Sequence, residues 1–173
     1  MRLLKSTVHP SVSASEPRQF TRLTSRAIAL KGTDILLMYT ARYEDFSLPG
    51  GGIDEGESIE QGLIRELQEE TGAQNIKVLG EFGLYEEYRP WYKDDYAVIH
   101  IKSYCYFCSL DTQLGQAQLE HYEQQNGMVA KWVNIHDAIA HNERTLANSD
   151  KQGLSIIRET YLLKEIAKHI TNY

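Results

Sequence analysis

Residues Pro49–Ala73 read PGGGIDEGESIEQGLIRELQEETGA, and this stretch decides how the rest of the chain is read. Three consecutive glycines, Gly50, Gly51 and Gly52, lead into a segment that carries Glu55, Glu57, Glu60, Glu66, Glu69 and Glu70. Ser58 to Thr71 is expected to be a helix. It is made of good helix formers, Ser58 is placed as a cap, and Gly72 is a natural stop. At about 100° per residue, with Glu66 at zero, Glu70 falls near 40° and Glu69 near −60°. Leu63 and Leu67 fall near 60° and 100° on the same wheel. The carboxylates therefore border the apolar stripe, where an ordinary solvated face would lie opposite it. Charges at the edge of a core are partly desolvated and need compensation. The compensation expected here is a hard divalent cation, Mg²⁺ or Mn²⁺, with Arg65 as a fixed local cation. The glycines fit such a site, because glycine accepts positive φ and lets backbone approach a ligand closely.

Outward from this stretch the chain alternates strand and helix patterns. A short strand is expected near 3–8 in an otherwise weakly patterned start. RAIAL (26–30), KGTD and ILLMYT (35–40) read as a hairpin. Residues 75–88 read as one or two strands, RPWYKDD (89–95) as a loop, and 96–110 as a long strand rich in β-branched and aromatic residues. The polar segment 111–127 reads mostly as loop, 128–135 as a strand, and HDAIAHN (136–142) as a short helix. Residues 155–170 form an amphipathic helix, with Ile156, Ile157, Leu163, Ile166 and Ile170 near helical spacing. No repeat, linker or low-complexity segment interrupts the chain. A single mixed α/β domain is expected over 1–173.

Composition narrows the functional classes. The formal net charge is −6, which argues against sequence-independent binding to nucleic acid. No apolar run is long enough to span a bilayer, and the first residues lack the apolar region of a signal peptide. Cys105 and Cys108 are spaced C-x-x-C, as in redox pairs and zinc sites. They sit in a strand pattern whose period of two points them to opposite faces, and no second pair completes a zinc set. Reduced thiols and a cytoplasmic location are expected.

The acidic stretch resembles the Nudix box, G-x5-E-x7-R-E-U-x-E-E-x-G-U with U apolar, of the Nudix hydrolases. Gly51, Glu57, Arg65, Glu66, Leu67, Glu69, Glu70, Gly72 and Ala73 occupy the specified positions, with Ala73 smaller than the usual aliphatic. The resemblance implies an α/β/α sandwich around a mixed β-sheet, with the box as a loop-helix-loop catalytic motif. It implies hydrolysis of a nucleoside diphosphate linked to a moiety X, with a nucleotide-type small molecule as partner. By carry-over, Glu66, Glu69 and Glu70 supply metal ligands, joined by the Gly50 carbonyl. Glu66, Glu69, Arg65 and Glu57 form the catalytic set, with Arg65 holding a box carboxylate. In this family the general base is a box glutamate or an acidic residue from a later loop, and here the later candidates are Glu120 and Glu123.

The box does not choose X. Tyr88, Arg89 and Trp91, in the aromatic and basic segment 85–96, are candidates to stack a base and meet phosphate. Strand-edge packing or a dimer contact explains the same aromatics. Arg42, just before the glycine loop, is a further candidate for the substrate, with a role at the strand end as the equal alternative. A nucleotide-binding module without turnover, or an acidic helix docking a basic partner, would be the other classes. The terminal helix has apolar positions that suit a homodimer as well as a cap on the domain.

Overall fold

The computed structural model describes residues 1–171. Residues 172 and 173, the last of the expected domain, lie outside the described residues. The elements run β1 (Leu3–Val8), β2 (Gln19–Lys31), β3 (Asp34–Thr40), β4 (Asp45–Ser47), α1 (Ile59–Thr71), β5 (Lys77–Pro90), β6 (Val98–Ser109), α2 (His121–Gln125), β7 (Met128–Asn134), α3 (Ile135–Asn148) and α4 (Ile156–Thr171). Seven strands form a mixed sheet in the order β1-β5-β6-β2-β3-β4, with β7 also paired to β3. The β2–β6 and β1–β5 pairs are parallel; the other pairs are antiparallel.

The expected hairpin exists only at its turn. β2 and β3 pair at Leu30–Ile35 and Lys31–Asp34 and then diverge. β2 continues beside β6 from Gln19 to Ala29, while β3 runs between β4 and β7. The divergence leaves one edge of β2 without a strand, and unpaired backbone groups there need partners. The glycine loop supplies them. Ala27 N–H donates to Pro49 O (2.9 Å), Ser25 N–H to Gly51 O (3.0 Å), and Ile53 N–H to Leu23 O (3.1 Å).

The strand alternation sorts the core into two layers. Ala27, Ala29 and Leu36 meet Leu63 and Leu67 of α1 on one side. Ile28, Ile35 and Leu37 meet Ile135 of α3 and Leu162, Leu163 and Ile166 of α4 on the other. Cys108 belongs to the first layer and Cys105 to the second, so the two thiols are on opposite faces. The result is the α/β/α sandwich. Leu63 and Leu67 are fully buried, and each contributes about 2 kcal/mol by removal from water. Ser58 caps α1 through a hydrogen bond from Gln61 N–H, and Gly72 ends it at φ 69°.

Several elements differ from the sequence reading. β2 begins at Gln19, because Gln19–Arg26 alternates polar residues that hide a strand. α3 is twice the expected length, since its buried stripe includes the polar Asn142 and Thr145. Asn142 clamps β4, accepting from Phe46 N–H (2.8 Å) and donating to Phe46 O (2.9 Å). α2 is a short helix inside the expected loop. In α4, Ile157 faces solvent, and Leu162 takes a core position.

Asp45, beside this clamp, is buried. Burial, then the nearby Glu159 carboxylate, raises its pKa to about 6. The folded state thus holds this proton more tightly than the unfolded chain. Stability is lost as pH rises from about 4 to about 6, and the loss persists above. Asp45→Asn is expected to flatten this part of the stability profile and to stabilise the protein at pH 7 by roughly 2–3 kcal/mol. Urea unfolding from pH 4 to pH 8 checks it; parallel profiles for the two proteins would refute it.

Candidate active site

Positive φ at Gly50 and the tightness of the loop fix where α1 begins. Gly50 has φ 132°, and a Cβ there would fall 2.1 Å from Ser25 O. A Cβ on Gly51 would fall 2.5 Å from Cδ of Glu66. The Glu66 carboxylate thus lies against bare backbone, which only glycine allows.

Arg65 organises the outer side of the site. Its Nε donates to Glu57 Oε1 (2.7 Å), and Nη2 to Glu57 Oε2 (3.0 Å) and Gly52 O (3.0 Å). Its Nη1 reaches Glu66 (3.0 Å) and Glu69 (3.2 Å). The planar fork ties the start of the loop-helix junction to the helix itself, which a point charge would not do. Glu57 also accepts from Asp54 N–H (2.9 Å). The Arg65 hydrogen bonds, helped by that amide, hold its carboxyl down to about 2. The guanidinium is in turn held protonated, chiefly by Glu57.

Glu70 lies on the inner side. It is buried and accepts from Gly50 N–H at 2.6 Å. Burial pushes its carboxyl up to about 8, against the pull of that amide and of Arg26. Glu66 is also raised by burial, opposed by Arg65. Glu123 of α2 adds a repulsive charge to both. Among the described residues the box glutamates do not converge on one point. Arg65 draws Glu66 and Glu69, and the Gly50 amide draws Glu70.

The later-loop candidates separate. Glu123 is buried, accepting from Glu120 N–H (2.7 Å) and the Tyr122 hydroxyl (3.1 Å). Glu120 is exposed, and its amide serves to hold Glu123. The segment that delivers α2 is fastened to α1 by Gln118 N–H to Glu69 O (2.7 Å) and Gly115 N–H to Gly72 O (2.8 Å). Arg42 bonds Asn126, at the end of α2, through both its Nη1 (3.1 Å) and its backbone N–H (3.0 Å).

The substrate candidates on β5 do not share a surface. Tyr88 stacks on His100 with ring centroids 4.1 Å apart. Arg89 lies on the opposite face, bonded to Glu87 (2.9 and 2.5 Å). Trp91 leaves the strand and packs edge-on against Phe20, beside Tyr92.

Three charged residues near the site were missed by the sequence reading. Glu159 is fully buried and accepts from Leu48 N–H (2.9 Å), at the entry to the glycine loop. Arg158 bonds Glu159 (2.9 and 2.7 Å) and also Glu87. Arg26 donates through Nη1 to Gly50 O. For Glu159 the signal was present, since it lies three residues after Ile156 and four before Leu163, inside the apolar stripe.

A family model described as NUDIX domain matches residues 21–154. The chain belongs to this family. A 37-residue stretch is 57% identical to an RNA pyrophosphohydrolase of a Sulfurovum species, covering 21% of this chain and 24% of that protein. A 39-residue stretch is 46% identical to an RNA pyrophosphohydrolase of a Nitratiruptor species, covering 22% and 25%. The chain thus spans about a quarter of the length of these curated relatives. A solved NUDIX hydrolase from Nitrosomonas europaea superposes with TM-score 0.59 at 18% identity, over 86% of this chain and 91% of that one. That likeness is one of fold. Among the described residues, no helix is long and apolar enough to cross a membrane.

Arg65→Lys keeps the charge of this NUDIX chain but loses the fork. It is expected to cost about 1–2 kcal/mol, lowering Tm by roughly 3–6 °C. Thermal unfolding followed by circular dichroism measures it, and an unchanged Tm would show that the fork does not hold the loop.

Proposed function

We propose that the protein is a Mg²⁺- or Mn²⁺-dependent pyrophosphohydrolase that cleaves a nucleoside diphosphate linked to a moiety X. The observation that carries this reading is the packing of Glu66 and Glu70, both desolvated, against a glycine loop with Glu123 facing them. Their donor set is all oxygen and partly shielded from water, and on the inner side no cation among the described residues is hydrogen-bonded to Glu70. That is the chemistry a hard divalent cation satisfies. The bare Gly51 backbone leaves the Glu66 carboxylate room to turn. Glu66, Glu69, Glu70 and the Gly50 carbonyl would hold the ion, each released from its present partner. When bound, the ion neutralises pyrophosphate oxygens and lowers the pKa of water.

The chain's own residues account for the rest. Arg65 fixes Glu57 and Gly52, so the loop keeps its shape as the carboxylates turn. Glu123 is the favoured base for the attacking water. Its carboxylate is buried beside the box glutamates, and Tyr122 and the Glu120 amide hold it in place. Arg42, bonded to Asn126 at the end of α2, suits a phosphate. The aromatic group of Trp91, Phe20 and Tyr92 suits a base. Tyr88 and Arg89, on opposite faces, cannot both meet one ligand. The names of the matched relatives agree with cleavage of a phosphoanhydride. Their matched stretches are too short to choose X. The two free cysteines, both buried, agree with a cytoplasmic location.

A panel of nucleoside triphosphates, dinucleoside polyphosphates, nucleotide sugars, ADP-ribose and 5′-triphosphorylated RNA, run with Mg²⁺, Mn²⁺ or EDTA, tests the reading. Turnover is expected only with metal. Glu66→Gln and Glu70→Gln are each expected to lower kcat by about 10²–10³-fold without unfolding the protein. Glu123→Gln is expected to lower kcat by about 10²-fold, and Glu120→Gln to change it less than about threefold. A folded protein that binds nucleotide but turns over nothing would instead be a nucleotide-binding module.

A further inference from the structure

Four arginines stand around the glycine loop: Arg22 is exposed with its guanidinium against Gly52, and the other three, further in, are not equally held. Arg65 uses Nε, Nη1 and Nη2 on Glu57, Glu66, Glu69 and Gly52. Arg158 uses Nε, Nη1 and Nη2 on Glu159 and Glu87. Arg26 is partly buried and makes one side-chain hydrogen bond, from Nη1 to Gly50 O. Its Nε is shut off from solvent with no hydrogen-bond partner. The acidic groups that face it are Glu70 from α1 and Glu159 from α4; Arg158 faces it as a like charge.

Arg26 therefore occupies the inner side of the site, and unlike Arg158, which Glu159 and Glu87 hold, it is bonded to no carboxylate among the described residues. It also holds the one backbone carbonyl assigned above to the metal. A guanidinium and a divalent ion at the same carbonyl repel strongly at the effective dielectric of a protein interior. An arginine does not relieve this by losing its proton. The remaining way out is movement, and a side chain held by one hydrogen bond, with an orphaned Nε, is the one free to make it.

We propose that Arg26 is a built-in counter-cation that competes with the divalent metal for the Gly50 carbonyl and so weakens metal affinity. The proposal rests on the metal-dependent reading above. With the site free of metal, Arg26 holds the Gly50 carbonyl and its charge offsets those of Glu70 and Glu159. With a metal bound, Arg26 would leave the Gly50 carbonyl. Arg26 is a positioning residue in this scheme, since it acts on the site through the Gly50 peptide.

The test is Mn²⁺ binding to the full chain without nucleotide, read by the loss of free Mn²⁺ signal in electron paramagnetic resonance. Arg26→Met removes the competing charge and is expected to tighten the Mn²⁺ Kd by about tenfold or more. Arg26→Lys keeps the charge and is expected to stay within about threefold of wild type. Unchanged or weaker binding by Arg26→Met, with the wild type binding normally, overturns the competition and leaves the metal reading intact. A folded wild type that binds no Mn²⁺ overturns both. If Arg26→Met does not fold, guanidinium NMR of the wild type during a Mg²⁺ titration decides. The Arg26 resonance, assigned through Arg26→Lys, is expected to shift to saturation with Mg²⁺. A resonance that stays put while Mg²⁺ binds overturns the proposal.

Discussion

The structure depends on the divergence of β2 from β3 after two residue pairs. That parting leaves the edge of β2 open, and the glycine loop fills it. Gly50 sits in the gap with its N–H on Glu70 and its carbonyl on Arg26. Two successive peptides are thereby gripped by groups of opposite charge. Any Cβ on Gly50 would run into Ser25 O, so the grip requires glycine. The start of α1, and with it the placement of every box glutamate, follows from how this short segment is held.

Charge is arranged in two layers about that segment. On the solvent side Arg65 gathers Glu57, Glu66 and Glu69 into one fork. On the inner side a chain of contacts runs from Leu48 N–H through Glu159, Arg158 and Glu87 to Arg89. Buried ions of this kind contribute little net stability, because desolvation offsets the attraction. Their effect here is on shape. Each carboxylate satisfies a particular backbone or guanidinium group, so the loop has one low-energy arrangement.

The parts of the site built on local pattern were legible in the sequence. Ser58 and Gly72 bound α1 as their chemistry requires, and Leu63 and Leu67 put the carboxylates at the border of the core. The period of two correctly parted Cys105 from Cys108. Applied to Tyr88 and Arg89, the same rule separates them, which is why the segment 85–96 does not act as one platform. What was not legible came from charges standing in for apolar residues. Glu159 occupies a core position of α4, and Asn142 and Thr145 occupy core positions of α3. A hydrophobic period scores each of them as a break. Glu123 and Glu120 looked alike because α2 is too short to leave a pattern. Arg26 carried no signal, since its meaning depends on a carbonyl in another part of the chain.

The bond from Leu48 N–H to Glu159 spans 111 positions of sequence. The glycine loop and α1 leave the ribosome long before its acceptor exists. Through that interval the loop entry lacks its carboxylate, and the nascent sheet has at most α3 of the two helices that cover its second face. The loop entry therefore gains its full set of partners only once α4 has docked. A chain stalled before residue 159 would carry every residue of the motif and still lack the shape that the motif needs.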